Sequence, residues 1–589
     1  MKRTLILPVL ALFALTGCGV TPNSSNVSNT TSEDVGSDYD YNDPISVEDP
    51  SDVTVSEVTS EFSITTSDGT YEQNGCVYTL KAAGTYSLEG KLDGQVLVDA
   101  GEDDEVVIEL NNVTLNYDQD SPIKAVSAGK LEISAKKNTG NIINDNRSTK
   151  TVDNSELGEG AINAKCDLKL KGTGTLVVTA NYNNGIHTTK DLTIQKQTLK
   201  VTAYSNAIKG KNSVTIVSGE VQAYAKTGNG IKTDESDLSS KGKQRGTIAI
   251  QGGAVYVDSL HDAIDAAYNV EVSEADMEAP TTISVKTGTN ATYYNKSTFK
   301  ADSEKGLKAA NEIVVDKGTI VIKASDDAIH ANYGDTLGNN SKGLGNITVN
   351  DGLVQIASGD DGLHADNTLT INGGKVVVTN ATEGFEGNYI VINGGYSYIY
   401  GSDDGVNISK KSFNTCKFTM NNGYLDVAVK SGDTDGIDSN GDVLIAGGTI
   451  VTRGSPGTNG SGMSTGLDVD GTCSMTGGTL IAFNGLEKKP TTSSGVMYAY
   501  TSNANQSGGG PGGGGGPGGW RTYEASASFS AGEYTLSGDD LEVSFTNDYV
   551  YGSFLIYSSY LKTNSTYTLT RSNTTVLSWN QSSSSVQIS

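Results

Sequence analysis

From about residue 95 to 485, short alternating runs of apolar and polar residues recur with the same punctuation. Each unit starts with Gly or Ala followed by Ile, Leu or Val, then a polar and often a small residue. Two alternating apolar positions, an Asn/Gly turn and a further alternating run follow. Gly362-Leu363-His364-Ala365, Leu369-Thr370-Ile371-Asn372-Gly373-Gly374 and Val376-Val377-Val378-Thr379 form one full copy. Equivalent starts fall at Ala161, Gly185, Ala207, Gly230, Ala263, Gly306, Ala328, Gly362, Gly384, Gly405, Gly436 and Gly466. Uninterrupted spacings are 22 residues (185 to 207, 306 to 328, 362 to 384) or 21 (384 to 405), and the longer ones read as loop insertions. Alternation with a period of two marks strands with one buried face. The turns Gly252-Gly253, Gly373-Gly374, Gly394-Gly395, Gly447-Gly448 and Gly477-Gly478 supply residues that accept positive φ.

Three short strands and three turns in about 22 residues describe one coil of a solenoid. The expected fold is therefore all-β, a right-handed parallel β-helix over residues 62–487. The twelve starts, with one or two further coils between Val96 and Ile123, would give a rod of about 60–70 Å at roughly 4.8 Å per coil. A β-propeller would need blades of about 40–45 residues with their own markers, and none are visible. After Glu487 the pattern lapses. Residues 488–524, including the tract SGGGPGGGGGPGG at 507–519, read as a Gly-rich loop or linker. Residues 525–589 read as a C-terminal β segment, either a cap on the open end of the rod or a small β domain.

The N-terminus has the form of an export signal over residues 1–17. Met1-Lys2-Arg3 precedes the apolar run Leu5 to Leu15, and Leu15-Thr16-Gly17-Cys18 matches a bacterial lipobox. Cys18 is thus the expected lipidation site, and the expected location is the extracellular face of a bacterial membrane. Residues 18–61 are rich in Ser, Thr, Asn, Asp and Glu, without a period, and read as a disordered tether.

Composition narrows the function. The formal charge is −27, from 42 basic and 69 acidic residues in a chain of 589, which argues against a nucleic-acid partner. Only 4 His are present, so material for acid–base chemistry is thin. The acidic residues, however, are not spread evenly. The place before each start holds Asn184, Asn206, Asn229 and Asp262, then Asp327, Asp361, Glu383, Asp404 and Asp435. Two places after it stand His187, Lys209, Lys232, Asp265, Lys308, His330, His364, Glu386, Asn407, Asp438 and Asp468. Asp326, Asp360, Asp366, Asp403, Asp433 and Asp470 lie beside them.

Coil stacking would bring these carboxylates about 5 Å apart. Two like charges at 4 Å repel by ~1 kcal/mol in water and ~4 kcal/mol at an effective dielectric near 20. Cations between coils would reverse that sign, and hard oxygen donors outside the cell select Ca²⁺. The expected calcium ligands come from Asp326, Asp327, Asp360, Asp361, Asp366, Glu383, Glu386, Asp403, Asp404, Asp433, Asp435, Asp438 and Asp468. A solvated acidic edge without ions is the competing reading. His330 and His364 read as hydrogen-bonded ladder residues, since histidine is a poor calcium ligand. Lys209 and Lys232 form a basic step paired with a nearby Asp or with an anionic ligand. Tyr389, Tyr396, Tyr398, Tyr400 and Tyr424 could serve as platforms for sugar rings or as plain surface strand residues. Cys76, Cys166, Cys416 and Cys473 lack metal-site spacing and read as small buried residues.

The lipobox, the stalk, the coils SGDDGLHADNTLTINGG (358–374), GSDDGVNIS (401–409) and SGDTDGIDSNG (431–441), and the GGGPGG tract together resemble a known family. It is the carbohydrate-binding, calcium-containing parallel β-helix lipoproteins of clostridia and related Gram-positive bacteria, with a polysaccharide-lyase-like fold. The resemblance covers roughly residues 60–589. It implies binding of cellulose-like or acidic pectin-like polysaccharide, and calcium at Asp360, Asp361, Asp403, Asp404, Asp433, Asp435 and Asp438.

Non-catalytic polysaccharide binding is the leading expectation, with a calcium-dependent pectate-lyase-like enzyme or a structural wall adhesin as alternatives. A lyase would need an Arg or Lys base near the ion, for which Arg453 and Lys308 are the candidates. A glycosidase would need one singular carboxyl pair, whereas these repeat coil after coil.

Overall fold

The computed structural model describes residues 45–275, 280–288, 303–338, 340–411, 413–457, 464–501 and 528–588. The expected signal segment, Cys18, the tether up to residue 44 and the Gly-rich tract at 507–519 lie outside the described residues.

Among the described residues every element is a β-strand, and most belong to one continuous sheet that winds on itself as three parallel faces. The fold is the parallel β-helix that the apolar period predicts. On the first face Val96, Ile123, Ile162, Ile186, Ile208, Ile231, Ile264, Leu307, Ile329, Leu363, Phe385, Val406, Ile437 and Leu467 are register partners in succession. All are buried to within 1%. Val96 and Ile123 mark two coils before Ala161, where one or two were expected. The second face stacks Leu192, Val214, Ile248, Val270 and Ile313 in the same way. The third stacks Leu199, Val221, Val255, Ile283 and Ile320. One core cluster follows the three ladders along the rod, so each coil buries its apolar side chains mainly against its two neighbours.

The small residue at each start has a steric cause. A Cβ on Gly384 would lie 1.9 Å from Ile399 Cγ2 on the third face. The Gly-Gly turns have a conformational one: Gly374 and Gly395 take φ of 75° and 76°, and a Cβ on Gly395 would meet Gly374 O at 2.6 Å. Beside these turns Asn421, Asn393 and Asn372 each donate to the Oδ1 of the preceding Asn, at 2.8 Å in every case.

Both ends are closed by antiparallel strands, which protects edges that would otherwise template aggregation. At the start Tyr71–Asn74 and Val77–Leu80 form a hairpin, and Ser63–Thr66 runs antiparallel to Gly84–Asp93. At the far end Phe554–Ser558 pairs antiparallel with Thr479–Phe483 and with Met497–Thr501. A four-stranded antiparallel sheet, Gly532–Gly538, Leu541–Asn547, Thr566–Arg571 and Thr574–Asn580, sits beside it. Phe483 of the last coil packs with Phe529, Phe545 and Phe554 in a second buried cluster. The C-terminal segment is therefore a cap continuous with the rod. Residues 491–492 and 497–501 are strands of the main sheet rather than linker.

Residues 45–61 also depart from the composition-based reading as tether. They form an extended strap that runs back along the rod, from the coil of Val377 to that of Lys91. Ile45 is buried with Ala357 and Val377. Asp49 accepts hydrogen bonds from Tyr256 and Lys286, both at 2.6 Å. Ser51 O accepts from Gln222 at 3.1 Å, Val58 N–H donates to Thr114 Oγ1 at 3.2 Å, and Glu57 pairs with Lys91 at 3.2 Å. A polar segment can order in this way because the rod supplies the apolar surface that the segment lacks.

Candidate functional site

The acidic row forms a true column. Two places after each start, His187, Lys209, Lys232, Asp265, Lys308, His330, His364 and Glu386 are successive register partners. Asn407, Asp438 and Asp468 continue the row. The outward position next to a buried Ile or Leu ladder is fixed by that ladder, so residues far apart in sequence become vertical neighbours.

The place before each start has a second use. Its side chain accepts the backbone N–H of the same place one coil on: Asp361 N–H donates to Asp327 Oδ1 at 3.0 Å, Glu383 N–H to Asp361 Oδ1 at 3.3 Å, and Asp435 N–H to Asp404 Oδ1 at 2.8 Å. In the early coils Asn206 does the same for Asn229 at 3.0 Å, and Asp262 for Lys305 at 2.8 Å. In these coils Asn or Asp serves the corner as an acceptor for a backbone N–H that the sheet ladder leaves unpaired.

Over the coils of Asp327 to Glu386 the column is interleaved with cations. Lys305 Nζ bridges Asp326 at 2.8 Å and Asp327 at 2.7 Å. His330 and His364 stack with ring centroids 4.2 Å apart. His330 Nδ1 lies 2.6 Å from Asp327, and His364 Nδ1 lies 2.9 Å from Asp361 and 3.3 Å from Glu386. Lys411 Nζ reaches Glu386 at 2.5 Å and His364 Nε2 at 2.9 Å. Asp366 accepts the Tyr333 N–H at 2.9 Å and faces His364 Nε2 at 3.3 Å. Burial acts to raise the Asp327 carboxyl, but the His330 hydrogen bond and the charges of His330 and Lys305 hold it well below its ordinary value. Burial, together with the Asp327 charge, drives Asp361 well above. Burial disfavours the His364 cation, but Asp366, Asp327 and Glu386 raise its pKa regardless. His330 and His364 are hydrogen-bonded ladder residues, as their row suggests; Lys305 and Lys411 are the members that sequence reasoning missed.

In the later coils the carboxylates act on one another. Burial, reinforced by neighbouring carboxylates, pushes Asp404 up to about 8, with Asp438, Asp435 and Asp403 contributing. Asp435 goes to about 7, with Asp438 and Asp433 contributing. Asp438 goes to about 6 beside Asp470 and Glu487, and Asp468, hydrogen-bonded to Glu487, goes to about 8.

Ligand geometry favours only part of the thirteen residues. Among the described residues, four groups bring three potential ligand atoms within 4.8 Å of one another. Two contain only oxygen donors, Asp326–Asp327–Asp360 and Asp360–Asp361–Glu383; the others are Asp327–His330–His364 and Asp361–His364–Glu386. Oxygens bound to one Ca²⁺ at roughly 2.3–2.6 Å lie at most about 5 Å apart, so the oxygen-only groups fit a calcium ion. In the first of these Lys305 already bridges Asp326 and Asp327, which leaves Asp360–Asp361–Glu383 as the better fit. Asp403, Asp404, Asp433, Asp435, Asp438 and Asp468 share the charged stretch but not such a convergent group.

Other candidates resolve differently. Arg453 is wholly buried, pairs with Asp426, and donates to Asn547 Oδ1 and Thr546 O of the C-terminal sheet, both at 2.7 Å. It is a structural pin and no base for a substrate. Lys308 Nζ sits 3.4 Å from Asp262. Lys209 pairs with Asp234 at 2.8 Å, and Lys232 with Asp265. Tyr424 is buried, with its hydroxyl donating to Ser544 O at 3.0 Å, and Tyr396 and Tyr398 pack partly beneath the same C-terminal cluster, so these three are no open platforms. Tyr389 bonds Thr415 at 2.8 Å. Cys166, Cys416 and Cys473 are buried free thiols, whereas Cys76 lies in a turn and is exposed, contrary to its expected burial.

Fold and column together define a capped parallel β-helix with an acidic corner. The family described as carbohydrate-binding domain-containing protein matches residues 74–362. A protein of that description from Acetivibrio thermocellus is 32% identical over 283 residues, covering 47% of this chain and 90% of its own length. The chain belongs to this family of carbohydrate-binding domain-containing proteins. A solved structure entitled "Structure of the polysaccharide lyase-like protein from C. thermocellum, Gadolinium derivative" is 30% identical, covering 38% of this chain and 86% of that one, with a TM-score of 0.34. The family match ends at Gly362, well short of the stretch 60–589 over which the motifs carry the resemblance. The acidic coils from Glu383 to Asp468 lie beyond the matched residues.

Proposed function

We propose that this chain is a polysaccharide-binding protein that acts without catalysis, takes up Ca²⁺ in its acidic column, and is held on the outer face of a bacterial membrane by lipid on Cys18. Family membership carries the carbohydrate reading. The calcium reading rests on the convergent oxygens of Asp360, Asp361 and Glu383, in a column whose later members Asp404, Asp435, Asp438 and Asp468 have pKa values raised by burial and by neighbouring carboxylates. Bound there, Ca²⁺ would neutralise adjacent coils and offer open coordination positions to sugar carboxylates or hydroxyls. Non-catalytic action is favoured because Arg453 is sealed under the C-terminal sheet and because the carboxylates repeat as backbone acceptors, with no singular acid–base pair.

Retention of the protein on insoluble cellulose and on polygalacturonate, with and without chelator, tests this reading. The expected result is retention on at least one polymer that weakens when the ion is removed. Retention on neither would sink the carbohydrate claim and leave the adhesin reading. New ultraviolet absorbance from unsaturated uronides during incubation with polygalacturonate would replace it with the lyase.

A further inference from the structure

On the third face the outward side chains form rows whose chemistry is opposite to that of the acidic column. One row runs Lys200, Gln222, Tyr256 and Ser284; the next runs Thr202, Tyr224, Asp258, Lys286 and Lys323. Tyr224 and Tyr256 lie with ring centroids 5.6 Å apart. Lys200 Nζ stands 5.6 Å from the Tyr224 ring centre and Lys286 Nζ 5.8 Å from that of Tyr256. Beside them opens a cavity of about 890 Å³ lined by Lys200, Lys226, Lys286, Lys323 and Tyr224, with Asp258 as its one carboxylate. In a chain of charge −27, such a concentration of ammonium groups marks a place for an anion. Lys226 and Lys323 make no ion pair among the described residues.

The strap at residues 45–61 shows what fits there. It contains Glu48, Asp49, Asp52, Glu57 and Glu61 and no basic residue. Asp49 takes hydrogen bonds from both Tyr256 and Lys286, and Asp52 pairs with Lys200. The strap is thus an extended polymer presenting carboxylates to this lysine–tyrosine surface, as a polyuronate would. Its hold is light: the Asp49 and Asp52 side chains stay 74% and 67% exposed, where ion pairs are weak and screened by salt. Only Ile45 and Val47 at its start are buried.

We propose that this groove is a binding site for carboxylate-bearing polysaccharide, and that residues 45–52 occupy part of it in the free chain as an internal competitor. The site rests on the polysaccharide-binding reading, but it lies on the third face and draws its charge from lysine rather than calcium.

Affinity electrophoresis of the full chain in gels containing polygalacturonate, or neutral hydroxyethylcellulose, tests it with two double variants. Lys226→Gln with Lys323→Gln removes charge while keeping Lys200 and Lys286, the strap's ion-pair partners, and is expected to weaken polygalacturonate retention at least tenfold. Asp49→Asn with Asp52→Asn loosens the strap, and is expected to strengthen it about threefold or more. Both effects persist in chelator, and hydroxyethylcellulose retention stays unchanged. Unaltered polygalacturonate retention in the lysine variant, or equal changes for both polymers, overturns the groove while leaving the proposed function standing. Retention of the unsubstituted chain by hydroxyethylcellulose alone overturns the ligand class. Retention by neither polymer removes the proposed function and this site with it.

Discussion

The backbone N–H of Asp361 donates to the carboxylate of Asp327 at 3.0 Å, although a whole coil of chain separates the two residues. The same contact joins Asp404 to Asp435 at 2.8 Å. A carboxylate at this corner therefore serves the fold through its oxygen and burdens it through its charge. These two roles separate by substitution.

Asp404→Asn keeps an oxygen acceptor for the Asp435 N–H and removes a carboxyl whose ionisation is opposed by burial and by Asp438, Asp435 and Asp403. In chelator at neutral pH the folded chain must hold a proton on this carboxyl that the unfolded chain releases, because its folded pKa of about 8 lies above the ordinary value of 3.8. Asn is therefore expected to stabilise the later coils by about 1 kcal/mol or more. Asp404→Ala removes the same carboxyl but strands the N–H. It is expected to fall below the Asn variant by about 1–3 kcal/mol, the cost of an unsatisfied buried donor. Urea unfolding midpoints of the three proteins check both statements. Equal stability of the Ala and Asn variants would show that the acceptor role is negligible.

Arg453 fastens the C-terminal sheet to the rod. Its guanidinium is fully buried and holds Asp426, Asn547 Oδ1, Thr546 O and Val427 O. Arg453→Met leaves the Asp426 carboxylate buried without its cation, and is expected to cost about 3–5 kcal/mol. Adding Asp426→Leu to that variant removes the stranded charge and is expected to recover much of the loss. Limited proteolysis supplies a local readout: cleavage between residues 528 and 588 should accelerate in the single variant and slow again in the double.

The three faces and the column were legible in sequence because both follow from a single spacing. Once each start places one Ile or Leu in the first-face ladder, the residues on either side have no freedom of phase. What resisted sequence reading was contact between segments of different register. Lys411 reaches Glu386 and His364 from a turn, and no periodicity gives the direction of a long flexible side chain. The strap looked unfoldable because its own apolar residues are few; Ile45 and Val47 are buried only because Val377 and Ala357 lie beneath them. Tyr224 and Tyr256 were hidden for a similar reason: tyrosine is common on strands, and only the strap distinguishes these two from the others. Arg453 was a candidate base by its rarity alone, and rarity says nothing of burial.

The neutral end of the column provides a test of pH dependence. His187 is half-buried, and desolvation, helped by the positive charges of Lys209 and Lys211, lowers its pKa from 6.5 to about 4 against the opposing pull of Glu159 and Asp234. Its Nδ1 lies 2.8 Å from Asn163 Oδ1, a contact that the neutral ring makes as donor. Because the folded pKa is the lower one, the unfolded chain binds a proton between pH 6.5 and 4 that the folded chain refuses. Stability from this residue is whole above pH 6.5 and falls as the pH drops towards 4, by about 3 kcal/mol in all at 1.36 kcal/mol per pH unit. Carboxylates titrate over part of the same range, so the measurement is a difference: unfolding free energy of the unsubstituted protein minus that of His187→Asn, as a function of pH. The carboxylate contributions cancel in that difference, which should be flat above pH 6.5 and decline below it. A flat difference throughout would mean that His187 accepts its proton in the folded rod as readily as in the unfolded chain.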